Sequence, residues 1–391
     1  MSCMNILFVN NGYNLFAKAD CGAAQRSMRF IHALKQMGHV DVVSFTEGTA
    51  SNVAGVDVIY SKQVEKSPIV LSHIDKLLRS FRLGNDPYAI YPTNIEKEKI
   101  IDKIVPNGKY DLIVIRYIHF ACECGLLKYA DRLMIDIDDD PKQVLQMAFP
   151  QNEGLLKRLY HRLYANLIDK VSRKIIKIVK CAFYSTPNMH YHNAHFLPNM
   201  SVFHNLLPPP DFTHPPTMMM VGWFKYPPNI EGLSHFITDI YPKIRSVVPN
   251  VIFNIVGKMP DEKLRDICMK TDGVNVLGFV ENVEEQYEKC HCVVIPIYSG
   301  TGTSVKMVEA MSVGRAVVTT SCGARGINPA FQSNKDYFLA TSDDDFAQKV
   351  SYLLTHPKQN VIMADGASQK VGQYYSETKF NDVVLNAIRT F

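Results

Sequence analysis

Short apolar runs that end in turn residues, each followed by a stretch of helical period, recur along this chain, and that alternation restricts it to parallel sheets crossed by helices. Asn5 to Asn10 is such a run, and the amphipathic stretch Ala24 to Met37, closed by Gly38, follows it. Val40 to Phe45, Asp111 to Arg116 and Arg132 to Asp136 read as further strands, and Phe183 to Ser185 and Ser201 to His204 as the last of the first half. A sheet of this kind gathers its functional loops at the carboxyl ends of the strands.

The proline run Pro208 to Pro210, followed by Pro215 and Pro216, supplies no ladder donors and reads as a stiff linker. Beyond it the alternation restarts. Strands are expected at Thr217 to Gly222, Val251 to Gly257, Val274 to Leu277, Val293 to Pro296 and Ala316 to Thr319, with helices over 232–247, 281–289 and 304–313 and a largely helical tail. A chain of 391 residues is too long for one ordinary core and suits two α/β domains facing a cleft. The expected division is 1–206, 207–372, and a final helix over 373–391 that crosses back to the first domain.

Lysine and arginine exceed the acids by only four, 42 against 38, which gives no sign of a nucleic-acid partner. No segment approaches the roughly 20 apolar residues that span a bilayer, so a cytoplasmic protein is expected. The nine cysteines are odd in number and scattered, which fits free thiols in a reducing compartment. Cys122/Cys124 and Cys290/Cys292 lack the second knuckle of a zinc site, and no metal is expected. Residues 154–180 carry apolar positions at Leu156, Leu159, Leu163, Leu167 and Val171 among eight lysines and arginines. This basic amphipathic helix packs on the first sheet or meets a membrane surface peripherally.

The segment that carries chemistry is Pro296-Ile-Tyr-Ser-Gly-Thr-Gly-Thr-Ser-Val-Lys-Met-Val-Glu-Ala310, which leaves an apolar strand and enters a helix. Gly300 and Gly302 allow close backbone approach, and the helix start that follows favours an anion. A diphosphate fits against Ser299, Gly300, Thr301, Gly302, Thr303, Ser304 and Val305. Lys306 adds a point charge, and Glu309, one turn on, can accept two hydrogen bonds from a ribose diol. The alternative is an ordinary glycine-rich loop whose lysine is solvated and whose glutamate pairs with it. Neither the triphosphatase phosphate loop nor the dinucleotide fingerprint is present.

At these residues the chain resembles the group 1 retaining glycosyltransferases, glycosyltransferase family 4, whose GT-B fold sets two Rossmann-like domains face to face. The resemblance continues through Val221-Gly-Trp-Phe-Lys-Tyr-Pro-Pro-Asn229, Pro249 to Gly257, Val276-Leu-Gly-Phe-Val280, Gly314 to Thr320 and Gly323. The family's first glutamate, eight positions before Glu309, falls at Thr301 here. The resemblance implies that the backbone at Gly278, Phe279 and Val280 meets the nucleobase. It sets Gly222 and Lys225 against the diphosphate and counts Gly257 among the donor-binding residues. In the first half, the family's glycine loop matches Cys21-Gly-Ala-Ala-Gln-Arg26, where Gly22 would approach the transferred sugar.

Arg26 then contacts an anion or the acceptor, or stands on a solvated helix face. Arg116 and His119, after the strand Asp111 to Arg116, can reach the sugar, or His119 is a loop histidine. Asp136-Ile-Asp-Asp-Asp140 offers four carboxylates for a divalent metal. With Lys306 and a helix end neutralising the diphosphate, however, metal is not required, and Asp138 is read as acceptor-side and Asp140 as a helix cap. The reading is transfer of a sugar from a nucleoside diphosphate sugar to a hydroxyl on a carbohydrate or lipid-linked glycan, in surface glycan assembly. Retention at the anomeric carbon is implied by the resemblance, and no cofactor is expected. The alternatives are a nucleotide-sugar 2-epimerase and a catalytically silent nucleotide-binding protein of the same fold.

Overall fold

In a computed structural model the residues described are 3–15, 22–46, 56–65, 72–82, 86–106, 108–149, 154–187, 193–201, 203, 205–259, 261–300 and 302–390. The chain divides into two compact units, Met1–Leu197 with Phe380–Phe391, and Pro198–Lys379.

The first unit holds β1 (Met4–Asn10), β2 (Gly38–Ser44), β3 (Asp57–Ser61), β4 (Leu112–Arg116), β5 (Leu133–Asp138), β6 (Cys181–Tyr184) and β7 (Ala194–Phe196). They form one parallel sheet in the order β3-β2-β1-β4-β5-β6-β7. Ile6 to Val9 and the whole of β4 are buried, as strands covered on both faces must be. The order reverses between β1 and β4, and at such a reversal the crevice beyond the strand ends receives ligands.

The expected strand at Ser201 to His204 is replaced by β7. Ser201 and Phe203 are irregular and belong to the second unit, and His204 lies outside the described residues. Ser201 Oγ lies 2.9 Å from Ser312 Oγ, and Phe203 meets Tyr287 edge-on at 5.6 Å. These contacts draw the division to Leu197, ahead of the prolines.

The basic stretch forms the helix Leu155–Ile178. Its buried face is Tyr164, Ile168, Val171 and Ile175, rotated from the expected stripe. Leu156, Leu159 and Leu163 stand exposed, at 83%, 54% and 52%. All four residues of the two Cys-X-Cys pairs are buried, as small hydrophobes are.

The second unit holds β8 (Thr217–Val221), β9 (Ile252–Val256), β10 (Val274–Gly278), β11 (Cys292–Ile295), β12 (Ala316–Thr320) and β13 (Phe338–Ala340), ordered β10-β9-β8-β11-β12-β13 and all parallel. The helix expected over 232–247 runs as Pro227–His235, a π-helical turn at Phe236–Ile240, and Tyr241–Val247. Pro242 has no amide to give the helical ladder, and the turn before it widens. Gly232 presses this helix onto the end of β11, since a Cβ there would stand 2.0 Å from Pro296 O. Arg315, fully buried, donates to Tyr287 O at 2.7 Å and Pro208 O at 2.9 Å and so ties down the proline run.

Candidate active site

In the second unit, glycines bring the ends of β8, β9 and β10 together. Gly222 N–H donates to Val256 O, and Gly257 N–H donates to Gly278 O at 2.7 Å. Gly257 has φ +132°, and a Cβ on it would lie 1.8 Å from Gly222 O, so only glycine fits. A Cβ on Gly222 would come within 3.0 Å of Asn229 Nδ2 and 3.5 Å of Lys306 Nζ. The bare backbone at Gly222 thus faces the ammonium that the sequence picked out.

Lys306 sits in the first turn of the helix Val305–Ser312 and donates to Asn229 Oδ1 at 2.7 Å. Burial pulls its pKa down to about 8, Arg325 lowers it further by like charge, and Glu309 acts in the opposite sense. Arg325 comes from the loop after β12. Its guanidinium lies 2.6 Å from where a Cβ on Gly300 would stand, and Gly300 has φ +138°. The loop is held by Ser304 N–H on Arg325 O at 3.1 Å and by Gly326, whose absent side chain lets it close on Thr303. Two cations therefore converge on one glycine-floored surface at a helix start, an arrangement that an anion would stabilise.

In the first unit, Asp136, Asp138, Arg26 and Arg116 form a buried network. Arg26 grips Asp136 through Nε and Nη2, both at 2.8 Å. Arg116 donates to Asp136 at 2.7 Å, to Asp138 at 2.6 Å and to Ala23 O at 2.7 Å. The two guanidiniums hold the Asp136 carboxyl below its ordinary range against the opposing effect of burial. Tyr117 and Asp138, at the ends of β4 and β5, both have positive φ, at 66° and 65°. Such strain persists only where the surroundings over-determine it. Asp138, His119 and Tyr117 line a pocket of about 440 Å³. Burial lowers the His119 pKa to about 4, so its ring is neutral at pH 7 and offers hydrogen bonds without charge.

Residues 215–356, most of the second unit, match the family model for glycosyl transferases group 1. These residues carry a group 1 glycosyl transferase domain. The chain is 22% identical over 312 residues to an uncharacterised 44.6 kDa protein in the cps region of Klebsiella pneumoniae, covering 74% of this chain and 80% of that one. To the phosphatidylinositol N-acetylglucosaminyltransferase gpi3 subunit of Schizosaccharomyces pombe it is 27% identical over 191 residues, 46% of this chain and 40% of that one. The crystal structure of Anabaena HepE in complex with UDP and glucose aligns with a TM-score of 0.63 at 14% identity, over 99% of this chain and all of that one. That likeness is one of fold, and the fold is GT-B.

Within this domain the structure gathers Gly222, Gly257, Gly300, Gly302 and Lys306 at one place. Thr303 and Ser304 are buried beneath, and Thr301 lies outside the described residues. The expected amide cradle is smaller than foreseen, because Ser304 N–H and Val305 N–H already donate to Arg325 O and Thr303 O. Gly278 is open on its Cβ side, and Val280 packs partly on the core. Phe279 is 64% exposed with Lys258 Nζ 5.0 Å over its ring. Ser299 reaches Glu231 at 3.5 Å, Lys225 is exposed, and Glu309 is half-buried on the helix of Lys306.

In the first unit Gly22 opens the helix Gly22–Leu34. Arg26 does not stand on a solvated helix face: it and Arg116 are buried on Asp136, where they fix the ends of β4 and β5. The aspartate run is likewise committed to the protein. Asp139 accepts from Ser185 Oγ, and Asp140 caps the helix Pro141–Ala148 through Lys142 N. Sequence reasoning missed Arg325, which follows Cys322 and Gly323 with no motif of its own, and the amide of Asn229, which lay inside a quoted motif with no role assigned.

Proposed function

We propose that this glycosyltransferase moves a hexose or related sugar from a nucleoside diphosphate sugar to a hydroxyl acceptor with retention at the anomeric carbon. The observation that carries the reading is the under-neutralised Lys306 beside Arg325 over Gly222 and Gly300, which matches the charge of a diphosphate leaving group. As the bond from the anomeric carbon to the phosphate oxygen breaks, the two cations take up the developing charge. The acceptor oxygen bonds to that carbon from the same face, and its proton passes to the departing phosphate. The protein's own cations do the work of a metal, so none is required.

The complex of Anabaena HepE with UDP and glucose supports a nucleotide-sugar donor, and the cps-region relative supports surface polysaccharide assembly. No helix among the described residues is long and apolar enough to cross a membrane. The acceptor is met at the cytoplasmic membrane face, where the helix Leu155–Ile178 lies peripherally. Exposed Leu155, Leu156, Leu159 and Leu163 alternate there with exposed Lys157, Arg158 and Arg162, and each cation near an anionic surface contributes about 1 kcal/mol.

The test is calorimetric titration with UDP and GDP, together with release of nucleoside diphosphate from the matching donor in the presence of EDTA. Binding and acceptor-dependent release support the reading. Turnover of the donor without an acceptor points to an epimerase, and binding without turnover to a silent protein. Sedimentation with anionic liposomes at low salt, reversed at high salt, tests the membrane contact separately.

A further inference from the structure

A second pocket of the first unit, about 530 Å³, lies where β1 and β2 end and is built like a binding site. Asn11, the residue after β1, is 4% exposed and lines it. Its Oδ1 accepts from Lys97 Nζ at 3.0 Å, while its Nδ2 is buried with no hydrogen-bond partner. A buried amide donor left unmatched costs free energy unless something else supplies an acceptor.

Lys97, on the helix Ile95–Ile104, is 3% exposed and pairs with Glu123 Oε1 at 2.5 Å, so those two charges cancel. Lys76 lines the same pocket, and no carboxylate among the described residues pairs with it. Lys76 is half-buried, and that burial lowers its pKa. His119, on the same wall, is neutral at pH 7 and adds no charge. The pocket therefore carries one excess positive charge, the unmatched amide donor of Asn11, and the rings of Tyr91 and Phe120 as apolar walls.

Resting on the glycosyltransferase reading, we propose that this pocket binds an acceptor saccharide that bears a negative charge, with the acid group on Lys76 and hydroxyls on Asn11 Nδ2 and the Lys97–Glu123 pair. A paired lysine and glutamate can donate to one hydroxyl and accept from its neighbour, which suits a vicinal diol. The acid group is a carboxylate or a phosphate ester.

The experiment titrates the full chain, with UDP present, against methyl β-D-glucuronide, glucose 6-phosphate and methyl β-D-glucoside, followed by saturation-transfer NMR. One of the two charged probes binds more tightly than the glucoside by about tenfold, the scale of a charge-assisted hydrogen bond, and which one it is separates carboxylate from phosphate. Lys76→Met removes the preference, Asn11→Ala weakens the favoured probe, and both variants keep wild-type affinity for UDP. Equal binding of charged and neutral probes, or a preference that survives in Lys76→Met, overturns the proposal. Failure of the wild-type chain to bind any nucleoside diphosphate would overturn the donor reading instead, so the two failures are distinguishable.

Discussion

The ammonium of Lys306 should reveal its role through the protons it takes up. With its pKa at about 8 in the ligand-free protein, Lys306 is half protonated at pH 8. A diphosphate binds the protonated form and returns the pKa toward the ordinary lysine range. Binding of UDP at pH 8 should therefore take up about half a proton, read from calorimetry in buffers of different ionisation enthalpy. Affinity should be level from pH 7 to 7.5 and above pH 8 should fall toward about tenfold per pH unit. Lys306→Met removes both effects and at pH 7 weakens UDP by roughly ten- to a hundredfold, the range for a hydrogen bond to a charged group, while leaving uridine nearly unaffected. The folded-state pKa is depressed, so between about pH 8 and the ordinary lysine range the unfolded chain binds more protons. The stability of the free protein should rise with pH across that window. Proton uptake that persists undiminished in Lys306→Met, or affinity that stays level up to pH 9.5, would refute the assignment.

Arg325→Met should weaken UDP by about tenfold, with uridine again the control, because one of two converging cations is lost; equal losses for both ligands would point to a structural role. Glu309→Gln should reduce affinity for UDP more than for its 2′,3′-dideoxy analogue, measured as a double-mutant cycle with the ligand as second partner. Gly257→Ala should lower the unfolding midpoint sharply, since its Cβ would meet Gly222 O at 1.8 Å with φ at +132°. Asp136→Leu leaves two buried guanidiniums without their shared carboxylate and should destabilise the chain by about 3–5 kcal/mol in chemical denaturation.

The buried strands were legible because a parallel strand covered on both faces is apolar throughout, as in β1, β4 and β12. β3 was not, because an edge strand with the half-exposed pattern Asp57–Ser61 reads like a loop. The donor loop could be found because its glycines, lysine and glutamate are neighbours in sequence. The Arg26–Asp136 pair, 110 residues apart, and Arg325 in a loop after another strand are products of the sheet's assembly that no local pattern announces. For the same reason Lys97, Glu123 and Asn11 drew no notice: each is ordinary in its own segment, and only the fold makes them a pocket.

The assignment of Phe380–Phe391 to the first unit has a consequence for how the protein is made. Phe380 packs edge-on against Phe30 at 5.2 Å, and Arg26 lies 5.9 Å from its ring. A ribosome emits the chain at about 5–20 residues per second, so the first unit waits for the whole second unit to be synthesised before this strap can close over the Arg26–Asp136 network. Until then Phe30 packs on Phe183 but lacks the ring of Phe380. A stop codon just ahead of Phe380 would damage the unit translated first and leave the one translated last intact.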